Sequence, residues 1–489
     1  MNINDILNNL ETYISNHQKV IKVVGRFRKI AENEVGQLYK KKIIRSLRLN
    51  DELSNYIDTD GTLFSKQDDK YVPLEGLTID DVIVEETLPR AALDTLITYS
   101  VGDKPFIDFD DKEWLEDFEE REDIHSKVTE LVDEMLITGD SFYKTENING
   151  KAQITVMYKE EVIIVPDTFN VTRVGAYIYF TVLSGKVENG VQKPDYNYVE
   201  IYFPDGKVYI YSNQDDKNKY ERVSEKKNED VNVGLGEFTF HHVKGLKRVK
   251  GSLYRHSIFK GLDTSFVELV IRKTSNAFLF NKVNNPALIM GGNSYSSINT
   301  ETGEKEVKTS GKAIEFNDPT EAAATRYLEP PTGHTASIYS HIDYILDDAY
   351  KQLGVNEISL GISQEGSIVS GESFKKAIIP TLNKCRDIVT RLKKPLTKLY
   401  KQAYKIEKKK DASLTIKFKD GISLSEKENI ENKANLVNIK LLSRVSILIE
   451  MGYTEAEAWE ELRRIAKEQK IIMEVFEEGE VNIPGDLSA

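Results

Sequence analysis

The sequence contains a single cysteine, Cys385, among its 489 residues, and only seven histidines. One thiol cannot form an intramolecular disulfide, so a disulfide-stapled secreted scaffold is excluded. No cluster of cysteine and histidine has the spacing of a zinc module. We therefore expect no metal and no cofactor, and the lone thiol favours a reducing compartment.

Long apolar runs are also lacking, because no stretch approaches the roughly 18 consecutive apolar residues of a membrane span. The first residues, MNINDILNNLETYISNHQ, are polar throughout, so we expect neither a signal peptide nor a membrane partner. Acidic residues outnumber basic ones by 79 to 66, which gives a net charge of −13. Such a chain is poorly suited to gripping nucleic acid over its whole surface, so a DNA partner would be held locally or allowed to slide.

The motifs of nucleotide-dependent enzymes are absent as well. The fragment nearest to a Walker A loop, TSGKA at 309–313, lacks the upstream glycine and the hydroxyl residue after the lysine. The glycines of GLGEF at 234–238 precede a strand-like segment, so a tight turn explains them better than a dinucleotide site. We expect a protein that is not an enzyme.

Three smaller signals have structural explanations. His241 and His242 are adjacent on a predicted strand and point to opposite faces, so we expect one to be buried and one exposed. Cys385 falls on an apolar helical stripe and is predicted to be a packed thiol. Four carboxylates lack the alternation and the glycine of a calcium loop and are interpreted as a solvated face: Asp108, Asp110, Asp111 and Glu113.

Charge is unevenly distributed along the chain. Residues 103–123 hold eleven acids and three bases, which predicts an exposed acidic lead-in to a helix around 123–137. Residues 372–410 hold thirteen bases and three acids, a local balance of +10. From 421 to 489, fourteen acids oppose eight bases. A basic helix is thus followed by an acidic C-terminal part that we predict to be helical.

Two periodicities divide the chain. Between 140 and 245, runs rich in Val, Ile, Tyr and Phe alternate with turn signals and predict an antiparallel sheet, with its clearest hairpin at FPDGKVYIY. From 255, helical spacing predicts two long helices that flank a small lobe at 286–334. A Gly/Ser-rich segment follows, and then a third long helix whose internal Pro380 predicts a kink near 376–380.

This order of elements resembles that of the portal proteins of tailed bacteriophages, the head-tail connectors of siphophage type. Two phrases carry the resemblance, LPRAALDTLITYSVGDKPFIDF and ELVDEMLITGDSFYKTENINGKAQITVMYKEEVIIVPD. The resemblance extends in order over about residues 85–470, and its weight comes from this colinearity. The first 80 residues resemble no family.

The resemblance implies an α+β portal fold assembled as a ring of about twelve subunits. Each segment then has an expected role in that ring. The segments are the wing at 1–256, a stem helix at 257–285, the clip at 286–334, a second stem helix at 335–355, the tunnel loop at 356–371, the wing again at 372–423 (kinked helix and strand), and the helical crown at 424–489.

The same resemblance implies a structural protein of the virion, located at the capsid portal vertex and assembled in the host cytoplasm. Its ring would form a channel for packaging and ejecting double-stranded DNA without sequence preference. The implied protein partners are the large subunit of the terminase motor, a head-completion or adaptor protein, and the major capsid and scaffolding proteins. The tunnel-loop residues expected to face DNA are Ser363, Gln364, Ser367 and Ile368.

Two other classes of protein fit parts of the sequence. A nucleic-acid-processing enzyme or accessory could bind phosphate through the basic helix at 372–410 and hold Mg²⁺ through acids in 103–123. Against this, the basic helix also has a complete apolar stripe, and a basic opposite face is typical of any partly exposed helix. A cytoplasmic adaptor without a DNA role is the third possibility. Particle mass and outline distinguish the three.

Overall fold

We analysed the protein as a computed structural model. It describes residues 3–49, 57–67, 70–184, 187–188, 191–192, 195–213, 220–223, 235–283, 288–289, 297–298, 305–306, 326–327, 332–362, 374, 376–418, 443–450 and 455–477. The chain divides into two units, Met1–Gly421 and Ile422–Ala489.

Helices and strands both contribute, as an α+β fold requires. The helices are α1 (Ile3–Asn8), α2 (Leu10–Ala31), α3 (Val35–Leu38), α4 (Lys40–Arg48), α5 (Leu88–Val101), α6 (Lys112–Glu122), α7 (Ile124–Thr138), α8 (Asp263–Val283), α9 (Thr332–Leu353), α10 (Ile379–Lys408), α11 (Arg444–Glu450) and α12 (Glu455–Glu477). Two short 3₁₀ helices lie at Ile79–Asp81 and Lys159–Glu161. None of the described helices is both long and apolar enough to cross a bilayer.

The strands are mostly short. They are β1 (Thr62–Gln67), β2 (Lys70–Thr78), β3 (Phe106–Asp108), β4 (Asp140–Ile148), β5 (Lys151–Met157), β6 (Val162–Pro166), β7 (Val174–Leu183), β8 (Val187–Glu188), β9 (Val191–Gln192), β10 (Tyr196–Tyr202), β11 (Val208–Ser212), β12 (Glu221–Arg222), β13 (Phe240–Lys244), β14 (Lys247–Arg248), β15 (Arg255–His256), β16 (Leu288–Ile289), β17 (Ser297–Ile298), β18 (Lys305–Glu306), β19 (Arg326–Tyr327) and β20 (Thr415–Lys417).

Two antiparallel sheets occupy the region between 140 and 245, as the sequence predicted. One has the strand order β12-β11-β10-β7-β6 and the other β13-β4-β5. The predicted hairpin joins β10 to β11, with Tyr202 opposite Val208 and Gly206 at φ 83° in its turn. Asn149 and Gly150, both at positive φ, connect β4 to β5 as an Asn-Gly turn does.

The main core lies where α10 packs against α5, β5 and β13. Its predicted apolar stripe is buried: Cys385, Ile388, Leu392, Leu396 and Leu399 are each at most 3% exposed. Burial raises the pKa of the Cys385 thiol to about 12, so the prediction of a packed thiol is confirmed. The first 80 residues, which resembled no family, add α1–α4 and the β1-β2 hairpin, and α2 packs against α5 and α7.

The acidic segment 103–123 is more structured than predicted. It contains β3, which pairs with β20, and the helix α6. The Asp111 carboxylate caps α6 by accepting the backbone N–H of Trp114 at 3.2 Å. Trp114, Leu115 and Phe118 form its buried stripe. Glu113, Glu116 and Glu120 are exposed and α7 follows at Ile124, as predicted, but the acidic composition concealed the buried apolar stripe of α6.

The third long helix begins later than predicted. Phe374, Lys376 and Ala377 are helical, a turn follows at Ile378, and α10 starts at Ile379. Pro380 therefore occupies the first turn, where its missing N–H has no intrahelical partner to lose. The proline inside α10 is Pro395, which was not predicted. A role for Pro380 in bending the chain stays a prediction.

The connection between α7 and β4 depends on Gly139. This residue has φ +89°, and a Cβ built there would lie 2.5 Å from the Arg255 carbonyl oxygen. Gly150 has a similar φ of +84°, but a Cβ built on it would meet nothing within 4 Å. The two positions therefore share the backbone conformation and differ in the space around it.

We expect Gly150→Ala to lower the free energy of unfolding by about 1 kcal/mol, from the left-handed backbone alone. Gly139→Ala adds a backbone clash, so its expected loss is about 3 kcal/mol or more. Chemical denaturation of both variants beside the wild type measures the difference. Equal losses would contradict the close packing of Gly139 against β15.

Candidate functional site

The segment predicted to be the tunnel loop is described only in part. Ser363, Gln364, Ser367 and Ile368 lie outside the described residues. On the near side, Asn356 and Ser359 form a hydrogen-bonded turn in which the Ser359 N–H donates to Asn356 Oδ1 at 2.8 Å. Asn356 Nδ2 also donates to the Ala377 carbonyl at 2.6 Å. One side chain thus joins the chain that enters the loop to the chain that leaves it.

Two long helices in contact precede this segment. They are α8 and α9, where the sequence predicted helices at 257–285 and 335–355. A glycine directly after an apolar helical stripe predicts the end of a helix, and α9 does end at Leu353, just before Gly354 at φ +75°. Glu268 on α8 accepts from Arg272 at 2.7 Å and lies 3.7 Å from His341 on α9. Tyr344 on α9 is 72% exposed, so α9 leaves apolar surface uncovered in the single chain.

Within the lobe between these helices, the structure describes four strands of two residues each. β16 pairs with β19, and β17 pairs with β18, both antiparallel. The segment KAIEFN at 312–317, whose composition predicts a strand, lies outside the described residues.

A buried network of charges organises the sheet that packs on α10. The Asp140 carboxylate, fully buried, lies 2.7 Å from Lys159 Nζ and 2.6 Å from His242 Nε2, and it accepts the Arg255 backbone N–H at 2.8 Å. Lys159 Nζ also donates to the Thr138 carbonyl at 2.7 Å. Because the charges are paired and hydrogen-bonded, their burial is tolerated, whereas removing one partner would be costly.

Both adjacent histidines are buried, so the expectation of one exposed side chain was wrong. They do point to opposite sides of β13: His242 contacts Asp140, and His241 Nε2 lies 2.6 Å from Gln402 Oε1 on α10. Gln402 Nε2 donates to the Phe238 carbonyl at 2.8 Å, which leaves its oxygen to accept from His241. The second sheet face is covered by α10, and periodicity alone could not reveal that.

Pro395 marks a second attachment of the sheet to α10. It has no N–H to donate to the carbonyl of Arg391, one turn earlier in the helix. Its own carbonyl accepts the Tyr143 hydroxyl from β4 at 2.6 Å.

Beside these contacts lies a cleft of about 390 Å³ between α10 and β13. We call it the basic cleft and define it by its four cations, Lys244, Arg391, Lys394 and Lys398. Its floor includes the aromatic rings of Tyr177 and Phe240. Burial, followed by the positive charges of Arg255, Lys394 and Arg391, lowers the pKa of Lys244.

The basic cleft has an excess of positive charge among the described residues. No carboxylate lines it there, and none of its four cations makes an ion pair with another described residue. A shallower depression of about 520 Å³ adjoins it and shares Lys394 and Lys398 with it; Lys393, Lys401 and the one carboxylate Glu237 also line this depression. This arrangement favours an anionic occupant.

Acidic residues lie along α6, which docks on α10. Trp114 Nε1 donates to Glu407 Oε2 at 2.8 Å, and the Tyr400 hydroxyl donates to Glu119 Oε1 at 2.6 Å. Glu113, Glu116 and Glu120 are exposed. Asp111 helps to hold α6 on α10, so the interpretation of the acidic set as a purely solvated face was incomplete. Within the described ranges, no group of three or more His, Cys, Asp or Glu residues could hold a metal ion.

The comparisons with known proteins identify the class. Residues 81–474 match the sequence profile of the family described as phage portal protein, SPP1 Gp6-like. The chain belongs to this family of phage portal proteins, and the predicted resemblance is confirmed. A comparison with curated protein sequences finds no match.

Solved structures similar to the chain include components of gene transfer agent (GTA) particles. One is from the virion of the native particle, with 10% identity, a TM-score of 0.43, and coverage of 76% of this chain and 90% of that chain. Another is from the neck of the empty particle computed with C6 symmetry, with 10% identity, a TM-score of 0.44 and the same coverages. A third, from the native neck computed with C12 symmetry, has 10% identity and a TM-score of 0.41 and covers 75% and 91%.

Burial makes the stability of the sheet depend on pH. It lowers the pKa of His241 from 6.5 to about 4 and also lowers the pKa of His242. The unfolded chain therefore binds more protons between these values, so stability is complete above pH 6.5 and is lost as the pH falls toward 4.

We expect the free energy of unfolding to fall by about 2 kcal/mol between pH 7 and pH 5 from His241 alone. The variant His241→Gln keeps an N–H donor for Gln402 but does not titrate, so its pH dependence should be smaller by about that amount. Denaturant titrations at both pH values provide the measurement. Identical pH dependence in the two proteins would show that His241 is not held neutral.

Proposed function

We propose that this protein is the subunit of a portal ring in a tailed phage or phage-like particle. Twelve is the number of subunits that the resemblance implies, and the ring would surround a channel for double-stranded DNA. The observation that carries the proposal is the family match over residues 81–474, within which α8, α9 and α10 follow one another in the predicted order. The proposed role is structural and not enzymatic.

In this proposal α8 and α9 form the stem, and 286–334 forms the clip. Residues 356–371 form the tunnel loop, and α11 and α12 belong to the crown. The exposed Tyr344 on α9 is consistent with a stem helix that acquires a neighbour in the ring. The Asn356 contact to Ala377 supports a loop whose two ends are held on the body. A loop anchored in this way can approach DNA while its base stays fixed.

The predicted tunnel loop has little positive charge, with Glu357 and Glu365 and no Lys or Arg between 356 and 371. Each phosphate contact adds affinity and salt dependence, so a loop without cations lets DNA slide. A chain with a net charge of −13 suits passage in the same way. The terminase large subunit, the head-completion protein and the capsid and scaffolding proteins are the proposed partners.

The alternative function is DNA binding by the basic helix of a nucleic-acid-processing protein. The specific observation in its favour is that the basic cleft has no paired carboxylate among the described residues. The apolar stripe of α10 is fully used by the core, however, so its basic flank is what a partly exposed helix presents.

A cysteine at Ser367, in a chain whose Cys385 is first changed to Ala, tests the channel. We expect crosslinking to DNA in filled particles, and slower reaction with a bulky thiol reagent in filled than in empty particles. The Cys385→Ala parent is the control, because it has no other thiol. Equal labelling of filled and empty particles without any crosslink would contradict the tunnel-loop assignment.

Replacement of residues 286–331 by a short Gly/Ser connector tests the clip. The change leaves α8 and α9 intact, so we expect normal thermal unfolding of the body but loss of terminase and head-completion protein binding. Pull-down with each partner, alongside the thermal measurement, provides the readout. Terminase binding that survives the replacement would place that site elsewhere.

A further inference from the structure

The two flanks of α10 carry different neighbours. At about 100° per residue, Arg391, Lys394 and Lys398 lie on one side of the helix. Tyr400, Tyr404 and Glu407 lie on the opposite side and hold α6 through hydrogen bonds. The apolar stripe between the two sides is buried in the core. One helix thus places the basic cleft on one flank and an acidic helix on the other.

The exposed side of α6 is strongly acidic. We call it the acidic face and define it as Glu113, Glu116, Asp117 and Glu120, all exposed. Of these four, only Asp117 makes an ion pair with a described residue, with Arg121 at 2.6 Å one turn further along α6. The acidic face therefore has an excess of negative charge that the subunit itself does not neutralise.

We propose that the basic cleft is a contact between subunits that receives the acidic face of α6 from the adjacent copy. The inference rests on the proposed ring. A closed ring of identical subunits needs two different surfaces on each subunit that complement one another head to tail. The basic cleft and the acidic face have opposite charge and lie on opposite flanks of one rigid helix, as such a contact requires.

A second copy fits the basic cleft better than a DNA duplex does. The cations border a recess with an aromatic floor, where side chains of another protein can enter and lose water. The phosphates of a rigid duplex would reach only its rim. Desolvation in such a contact strengthens the attraction of each pair, and the unpaired Lys244 would gain a carboxylate that opposes its lowered pKa.

Charge reversal tests the contact. The cleft variant is Lys394→Glu with Lys398→Glu, and the acidic-face variant is Glu116→Lys with Glu120→Lys. A matched control for the cleft variant, Lys41→Glu with Lys42→Glu, makes the same charge change at exposed positions of α4. Ring yield is measured by particle mass and negative stain, and thermal unfolding checks that each chain is folded.

We expect each of the two variants to reduce ring yield by about tenfold or more, because like charges then face one another. The control should assemble as the wild type does. An equimolar mixture of the cleft and acidic-face variants should recover rings, since alternating copies place opposite charges at every contact, half of them with the wild-type polarity and half with the reversed polarity. A chain carrying all four substitutions should recover them as well.

Normal ring yield from either variant alone would overturn the inference. So would folded variants that stay unassembled both in the mixture and in the fourfold chain. A cleft variant that assembles normally but retains DNA less well would identify the cleft as a phosphate site and overturn the subunit contact. Absence of rings in the wild type would contradict the proposed function itself and this inference with it.

Discussion

The packing of α10 is the constraint on which the rest of the structure depends. Its apolar stripe must be buried against α5, β5 and β13, and this fixes the rotation of the helix about its axis. With the rotation fixed, one flank can only meet α6 and the other can only border the basic cleft. The hydrogen bonds of His241 to Gln402 and of Tyr143 to Pro395 secure this position. The charge distribution of the subunit follows from it.

The charges buried near α10 make the sheet a stable platform. Asp140 is held by Lys159 and His242, and Arg28 connects α2 to Glu134 on α7 at 2.6 Å and to Glu160. The contacts of Arg28 and of His242 join segments that are more than 100 residues apart. Such a rigid body suits the subunit of the proposed ring.

Local patterns predicted much of this fold. Alternation predicts the hairpin β10-β11, helical spacing predicts the buried stripe of α10, and a glycine predicts the end of α9 before Gly354. Each of these patterns spans only a few neighbouring residues. Long-range neighbours explain the failures. His242 is buried against Asp140, which is 102 positions away in the sequence, and the apolar side of α6 is buried because it packs on α10. Pro380 was predicted to lie inside the third long helix. Because α10 begins at Ile379, Pro380 lies in its first turn and Pro395 is its internal proline. The +10 charge balance of residues 372–410 indicates a basic helix surface. The shape of the basic cleft could not be predicted from it, because β13 forms the other side of the cleft.

We propose above all that these subunits close into a ring around a channel. The mass and the negative-stain outline of the purified wild-type particle test it most directly. The account predicts a mass of about twelve chains and an annular projection with a central hole, as expected of cyclic head-to-tail assembly. A folded monomer or dimer without a hole, at every protein concentration tested, would contradict it.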